Sequence, residues 1–430
     1  MCYFFHYLPY FWRDTLRKNR WHSRCWRLGF TLSAVSRGVI FIFPFTIARD
    51  AVIMEETKIG GTDMDFGRFG FGFLRLPHVD PNDITDVDLD AAKKMVDLFL
   101  ERGFRYFDTA YTYLNYKSEE FLRQALVERY PRDRFAIATK LPCDLLKRGR
   151  TAQEIFDDQL QKCGVEYFDV YLLHGLDADG ARTAEKYGAF EFLNQIKAQG
   201  KAKFVGFSFH DTAEVLDEIL TRHPEVDVVQ IQLNYLDWDN AIIQSGRCYE
   251  VCRKHRKPII VMEPVKGGTL AKLPEKALPL LGGESAASRA IRFAASQEGV
   301  AMVLSGMSTL EQVEENTALM AHFQPLTEEE TSALEQVKEM VRGAVAIACT
   351  GCSYCTDGCP AGIPVPRFFS LYNERERDGW QANTEERYRA LTNTFPPAKA
   401  CLGCGQCQDA CPQKLPIIEH LKTVSAVFDR

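Results

Sequence analysis

The sequence predicts an α/β chain: a closed (β/α)8 barrel followed by a small module of helices and loops rich in cysteine. Three observations predict it. Short β-rich runs alternate with amphipathic helical stretches eight times between Phe66 and Gly306. The glycine fingerprint of a doubly wound dinucleotide-binding sheet is missing, because Gly67-x-x-Gly70-x-Gly72 has the wrong order and no helix start follows it. The last quarter of the chain holds eight cysteines in one spacing used twice. With 430 residues, 46% of them hydrophobic and 26% charged, there is room for two globular domains, and a net charge of -6 argues against nucleic acid as a partner.

Taken in order, the predicted strands are 66–71, 105–108, 135–140, 168–174, 202–208, 228–233, 258–263 and 302–306. The helix signals lie between them. Leu89, Ala92, Val96 and Phe99 form one apolar face that Gly103 terminates. Thr151 with Glu154, and Ser308 with Glu311, read as capping boxes, and Gly200 closes a helix over 190–199. Eight such units over about 280 residues fit a TIM barrel, whose usual size is about 250 residues. The first 53 residues read differently. They are basic and aromatic (Trp12, Trp21, Trp26, Arg13, Arg17, Lys18, Arg20, Arg24, Arg27), and their apolar run, Val39 to Ala48, is shorter than the ~20 residues a membrane span needs. No transmembrane segment is expected, and Met54 reads as the natural start. The expected division is an extension over 1–53, a barrel over 54–335 and the cysteine module over 336–430.

In that module, Cys349, Cys352, Cys355 and Cys359 read C-x2-C-x2-C-x3-C-P, and Cys401, Cys404, Cys407 and Cys411 repeat the pattern. Each run ends in proline, Pro360 and Pro412. This is the ligand pattern of bacterial iron–sulfur proteins, in which the fourth cysteine serves the other cluster. The expected sets are Cys349, Cys352, Cys355 with Cys411, and Cys401, Cys404, Cys407 with Cys359. Structural zinc is the rival, but zinc sites take two close pairs across a longer loop. Disulfides do not suit a chain that otherwise reads as intracellular, and a cytoplasmic location is expected. The stretch from Ala346 to Leu421 resembles a two-cluster ferredoxin, which implies a ferredoxin-like domain with two 4Fe-4S clusters. The long insert between its halves, 367–400, is polar and reads as a pair of solvated helices. The cysteines of the body, Cys143, Cys163, Cys248 and Cys252, show no metal spacing and are expected as buried thiols.

Barrel chemistry sits at the carboxyl ends of the strands. There the sequence places Asp108, then Tyr113 in the following loop, Lys140, His174 and Ser208. Asp108-Thr109-Ala110-x-x-Tyr113 with Ser118-Glu119-Glu120, Ala138-Thr139-Lys140 and Leu172-Leu173-His174 resemble the signature stretches of the aldo-keto reductases. The resemblance runs from Met54 to about Phe323. It implies catalytic roles for Asp108, Tyr113, Lys140 and His174. It also implies cofactor contacts at Ser208 (in Gly206-Phe207-Ser208), at Gln230, and at Ser308, Glu315 and Asn316 on an adenosine-binding helix. The physical reading agrees. Hydride transfer to a carbonyl leaves an alkoxide that needs a proton; Tyr113 is the donor, a Lys140 cation lowers its pKa, Asp108 holds Lys140, and His174 orients the carbonyl oxygen. His210-Asp211 also points at the mouth, as a substrate contact or a loop cap.

The pattern departs at the cofactor. Phe209 stands where the family has asparagine, Met262 where an aromatic ring stacks, and Gly306 and Gln312 where basic residues clamp a 2′-phosphate; the helix amino terminus at Ser308 can still receive a phosphate. The expectation is NADP or NAD, with a flavin as the alternative. The partners expected are a small carbonyl or alcohol substrate and a redox partner protein. Three functions compete: a redox enzyme whose clusters exchange electrons with the barrel, a carbonyl reductase whose clusters only staple the tail, and an electron carrier or interaction protein with an idle barrel.

Overall fold

The computed structural model describes residues 66–80, 83–378 and 383–429; the basic extension and the expected start at Met54 lie outside them. Eight parallel strands close into a barrel in chain order: β1 (Phe69–Gly72), β2 (Tyr106–Asp108), β3 (Ala136–Pro142), β4 (Phe168–Leu176), β5 (Ala202–Phe209), β6 (Val228–Gln232), β7 (Ile259–Met262) and β8 (Val300–Gly306), which pairs back onto β1. The predicted runs are these strands, with small shifts at their ends. Their apolar continuity follows from burial on both faces, by helices outside and by side chains inside. The interior is filled by Tyr106, Ala136, Ala138, Val170, Leu172, Val228, Ile260, Met302 and Leu304. Phe66 plugs the amino-terminal end against the rings of Tyr106 and Phe204, both 5.8 Å away.

Local chemistry sets the helices. Leu89–Glu101 begins where the Asp88 carboxylate accepts the Ala91 N–H, and ends before Gly103 at φ 90°. Thr151 and Glu154 make both bonds of a capping box ahead of Ala152–Cys163. The box expected at Ser308 and Glu311 is displaced by one residue. Thr309 caps Leu310–Ala321 by accepting the Gln312 N–H, because the Ser308 hydroxyl is already donated to the Arg75 carbonyl at 2.8 Å. Helix Glu328–Arg342 crosses residue 335, and its Leu334, Val337 and Val341 pack into the barrel's outer core.

The cysteine module has its own small core of Ile347, Val365, Phe368, Phe369, Leu371, Tyr388, Ile417, Leu421 and Val424 around Cys355, Cys407 and Cys411. Its insert does form two helices, Val365–Asp378 and Thr384–Thr392, but they are not merely solvated. Phe368 and Phe369 are buried, and Tyr388 packs 4.6 Å from Phe368 and stacks on Phe428 at 4.8 Å, so the insert supplies the apolar layer that two short cysteine loops lack. Among the described residues no helix is long and apolar enough to cross a membrane.

Candidate active site

Strand alternation builds the site. Successive side chains of a strand face opposite ways, so the inward series Tyr106, Ala138, Leu172 and Val228 continues two residues later to Asp108, Lys140, His174 and Gln230. The polar layer therefore caps an apolar barrel at its carboxyl end. A register shift between β4 and β5, with Gly175 at φ 62°, turns the end of β4 beside His174.

Lys140 Nζ donates to Asp108 Oδ1 at 2.6 Å and to the Thr109 carbonyl at 2.7 Å, and Gln230 Nε2 donates to Asp108 Oδ2 at 3.2 Å. Tyr113 opens a tight turn in which Leu114, Asn115 and Tyr116 all take left-handed φ values. Its ring centre lies 4.9 Å from Lys140 Nζ and 5.7 Å, edge-on, from the His174 ring. The neighbouring motif residues brace this arrangement from behind. Thr109 and Ser118 hydroxyls bond at 2.8 Å, and Glu119 Oε1 accepts from Thr139 at 2.6 Å and from Gln159 at 2.7 Å.

Burial dominates the charges. It raises the Asp108 pKa and lowers that of Lys140, while their contact opposes both shifts. Tyr113 departs from expectation: burial, then the Asp108 carboxylate, push its phenol up rather than down. Lys140 points its ammonium at Asp108 and the Thr109 carbonyl, so it does not offset the burial of the phenol. The shift that favours the phenolate comes instead from a hydrogen bond with Tyr354. His174 is held well below the usual imidazole range by burial and then by Lys140, so it is neutral at physiological pH.

One cavity of about 330 Å³ is lined by Asp108, Tyr113, His174, Ser208 and Gln230 at one end and by Ser308, Glu315 and Asn316 at the other, with Lys140 beneath its floor. Met262, Gly306 and Gln312 also line it. Several of the residues expected at the cofactor already have partners. Ser208 Oγ accepts the Gly175 N–H at 2.7 Å, Asn316 donates to Ser305 Oγ at 3.3 Å, and the Ser308 N–H is taken by Gln312 Oε1 at 2.7 Å. His210 lines the same cavity with its Nδ1 unpartnered among the described residues, its pKa pushed down to about 4 by burial. Asp211 caps the neighbouring loop through the N–H groups of Ala178 and Thr212.

The cysteine module sits on this mouth. Arg75 donates to the Thr350 carbonyl at 2.6 Å. Gln232 and Gln413 exchange amide hydrogen bonds at 3.2 and 3.1 Å, over a buried Lys266–Asp237 pair at 2.6 Å. Gly267, at φ 62°, meets Thr350 so closely that a Cβ would stand 2.1 Å from its carbonyl oxygen. Cys352, Tyr354, Pro412 and Gln413 thereby join the cavity wall. The fold brings Cys411 beside Cys349, Cys352 and Cys355, and brings Cys359 beside Cys401, Cys404 and Cys407. The second group surrounds a small cavity finished by Ile363, Val365, Ile418 and Leu421. In the first, the Gly351 N–H lies 3.4 Å from Cys349 Sγ. Free thiols gathered in two groups, with Cys355, Cys407 and Cys411 buried and a backbone N–H aimed at Cys349 Sγ, fit an iron–sulfur group.

The model of the aldo/keto reductase family matches residues 68–339. The chain belongs to that family. A second family model, the 4Fe-4S dicluster domain, matches residues 348–415, so this aldo/keto reductase family member is an oxidoreductase carrying a 4Fe-4S dicluster domain rather than a zinc module. It is similar to L-galactose dehydrogenase of Arabidopsis thaliana, at 25% identity over 67% of this chain and 96% of the relative. An uncharacterized oxidoreductase of Bacillus subtilis (strain 168) is 24% identical over 66% of this chain and 96% of its own. Among solved structures, the holo form of an aldo-keto reductase from Bacillus halodurans matches with a TM-score of 0.51 at 23% identity, covering 65% of this chain and 94% of that one. An aldo-keto reductase from Klebsiella pneumoniae in complex with NADPH gives 0.51 at 18% identity, over 63% of this chain and 90% of that one. These two likenesses show the fold.

Sequence reasoning missed the residues that join the halves: Arg75, Lys266, Gly267, Tyr354 and Gln413. Tyr354 carried one signal, its place between Cys352 and Cys355, but no spacing rule says that a cluster loop will face a barrel mouth.

Proposed function

We propose that this oxidoreductase interconverts a small carbonyl compound and its alcohol with a nicotinamide nucleotide, and that its barrel site is in redox contact with two 4Fe-4S clusters. The observation that carries the reading is that Cys352 lines the same cavity as Asp108, Tyr113 and His174. Neutral His174 holds the carbonyl oxygen, and Tyr113 gives that oxygen its proton as negative charge develops there. Asp108 and Gln230 fix Lys140 below the tyrosine. Ser208, Gln230, Ser308, Glu315 and Asn316 lie along a cavity that reaches both ends a dinucleotide must touch. Met262 and Gly306 leave that groove less clamped than the family pattern, a lining that accepts NAD or NADP. The nucleotide supplies the hydride. Cys349, Cys352, Cys355 and Cys411 would hold one cluster, and Cys401, Cys404, Cys407 and Cys359 the other; such groups take and give single electrons.

A carbonyl reductase with purely structural clusters is the second reading, favoured by the packing of the cysteines into the module's core. An idle barrel is disfavoured by the assembled Asp108–Lys140–Tyr113–His174 geometry. The test is Tyr113→Phe in protein purified without oxygen, with iron and sulfide counted. Carbonyl reduction should fall about 100-fold or more while cluster reduction by dithionite is unchanged. Undiminished carbonyl reduction in the variant would overturn the proposal.

A further inference from the structure

Resting on the reading that Tyr113 protonates the reduced carbonyl, we propose that Tyr354 of the iron–sulfur module is a positioning residue of the barrel's active site, its hydroxyl holding the Tyr113 oxygen and the His174 Nε2 edge in place. The aldo/keto reductase barrel would then be complete only when the loop of Cys349, Cys352 and Cys355, which would hold the inner of the two clusters, is docked on its mouth.

Tyr354 lies between Cys352 and Cys355, so its backbone is fixed by any group those thiolates bind. Its hydroxyl stands 3.5 Å from His174 Nε2, with the two rings 6.2 Å apart and nearly perpendicular. The Tyr113 ring lies 5.7 Å from the same His174 ring, so Tyr113 and Tyr354 flank one imidazole; in the balance of the Tyr113 pKa, Tyr354 acts on the side of the phenolate. A third observation fixes its place in space. The main cavity and a second one of about 210 Å³ share Leu74, Arg75, Tyr113, Ser308, Cys352 and Tyr354 as their common wall. Tyr354 therefore stands at the partition between the two cavities, beside both Tyr113 and His174.

The chemistry gives the hydroxyl a task. When Tyr113 gives up its proton, a phenolate forms in a buried site where the Asp108 and Glu263 carboxylates both oppose it. A hydroxyl donating to that oxygen stabilises the charge only once it exists, and charge-assisted bonds of this kind are the strong ones. Tyr354 keeps its own proton throughout, so the step needs no oxidant or reductant. The Arg75–Thr350 bond, the Gln232–Gln413 pair and the Gly267–Thr350 contact hold the loop where this bond can form.

The experiment uses the full chain with both clusters, NADPH and 4-nitrobenzaldehyde. In Tyr354→Phe, kcat should fall about 10- to 100-fold with KM changed less than about threefold, and the deuterium isotope effect from 4-deuterated NADPH should rise, because the chemical step has slowed. Tyr354→His, which returns a donor, should recover part of the rate, and it serves as the reading variant if the phenylalanine form loses iron. A kcat within about twofold of native, at native iron content, overturns the proposal. Independently of turnover, acetate as a carbonyl mimic should shift the electron paramagnetic resonance signal of the reduced inner cluster in native protein and not in Tyr354→Phe. If native protein reduces no carbonyl, the reductase reading fails and this arm alone decides: a shift lost in the variant supports the proposal, and an identical signal in both proteins overturns it.

Discussion

The two halves of the dicluster domain share one spacing and meet opposite surroundings. The half with Cys349, Cys352 and Cys355 is pressed onto the barrel mouth, where Cys352 and Tyr354 form part of the cavity wall. The half with Cys401, Cys404 and Cys407 turns outward; Cys404 is exposed, and Leu402 beside it is 71% exposed. A repeated motif fixes how each loop can bind metal. What each loop then does is set by what it docks against. The inner loop forms part of the cavity wall, and the outer loop keeps an exposed edge.

The largest expected effect separates the halves directly. Cys352→Ala and Cys404→Ala should each cost one cluster, read as a loss of half the iron. Yet NADPH-driven carbonyl reduction should fall about 100-fold or more in the first and stay within about threefold of native in the second. The reason is geometric: losing the inner cluster frees the loop that carries Tyr354, whereas losing the outer one leaves the mouth intact. Equal losses in both variants would break the comparison and place the two clusters in series with the hydride chemistry.

A smaller effect should come from moving the inner half without touching a ligand. Gly267→Ala puts a side chain at φ 62° with its Cβ 2.1 Å from the Thr350 carbonyl oxygen. A left-handed alanine alone costs about 1–3 kcal/mol, and the clash adds to it, so the loop must back away. Both clusters should remain, counted as iron and sulfide, while carbonyl reduction falls about 10-fold or more, because small displacements at a reacting centre are expensive. Native activity in this variant would mean that the inner half need not touch the mouth.

That contact marks the line between what the sequence showed and what it hid. The barrel and its polar layer were legible because strand alternation is a local rule: Tyr106 facing inward puts Asp108 inward, and Ala138 does the same for Lys140. The cysteine groups were legible because their spacing is local too. The direction of the Tyr113 shift was hidden, since it depends first on burial and then on the Asp108 carboxylate, and neither is written in the spacing. The cap at Thr309 was hidden for a similar reason: Ser308 is the better cap in isolation but is occupied by Arg75, 233 residues away in sequence. Tyr354 in the site was the least legible, because docking of two domains is written in shape rather than in period.

The smallest effect belongs to the rim of the same interface. Lys414 reaches Asp177 at 3.4 Å with side chains 40% and 32% exposed, so water and salt screen the pair. Lys414→Ala should change carbonyl reduction less than about twofold and stability by no more than about 0.5 kcal/mol. Asp177 keeps its bond from the Gly180 N–H at 2.8 Å, so the helix it caps survives. Lys414 also helps depress the His210 pKa, so its removal lets that value rise from about 4. Burial is the larger cause and remains, so the imidazole stays neutral near pH 7 and the activity profile there should not move. A large loss in Lys414→Ala, measured by the same NADPH assay at low and high salt, would show that the outer rim rather than the Gly267–Thr350 contact positions the inner half, and the order of effects would reverse.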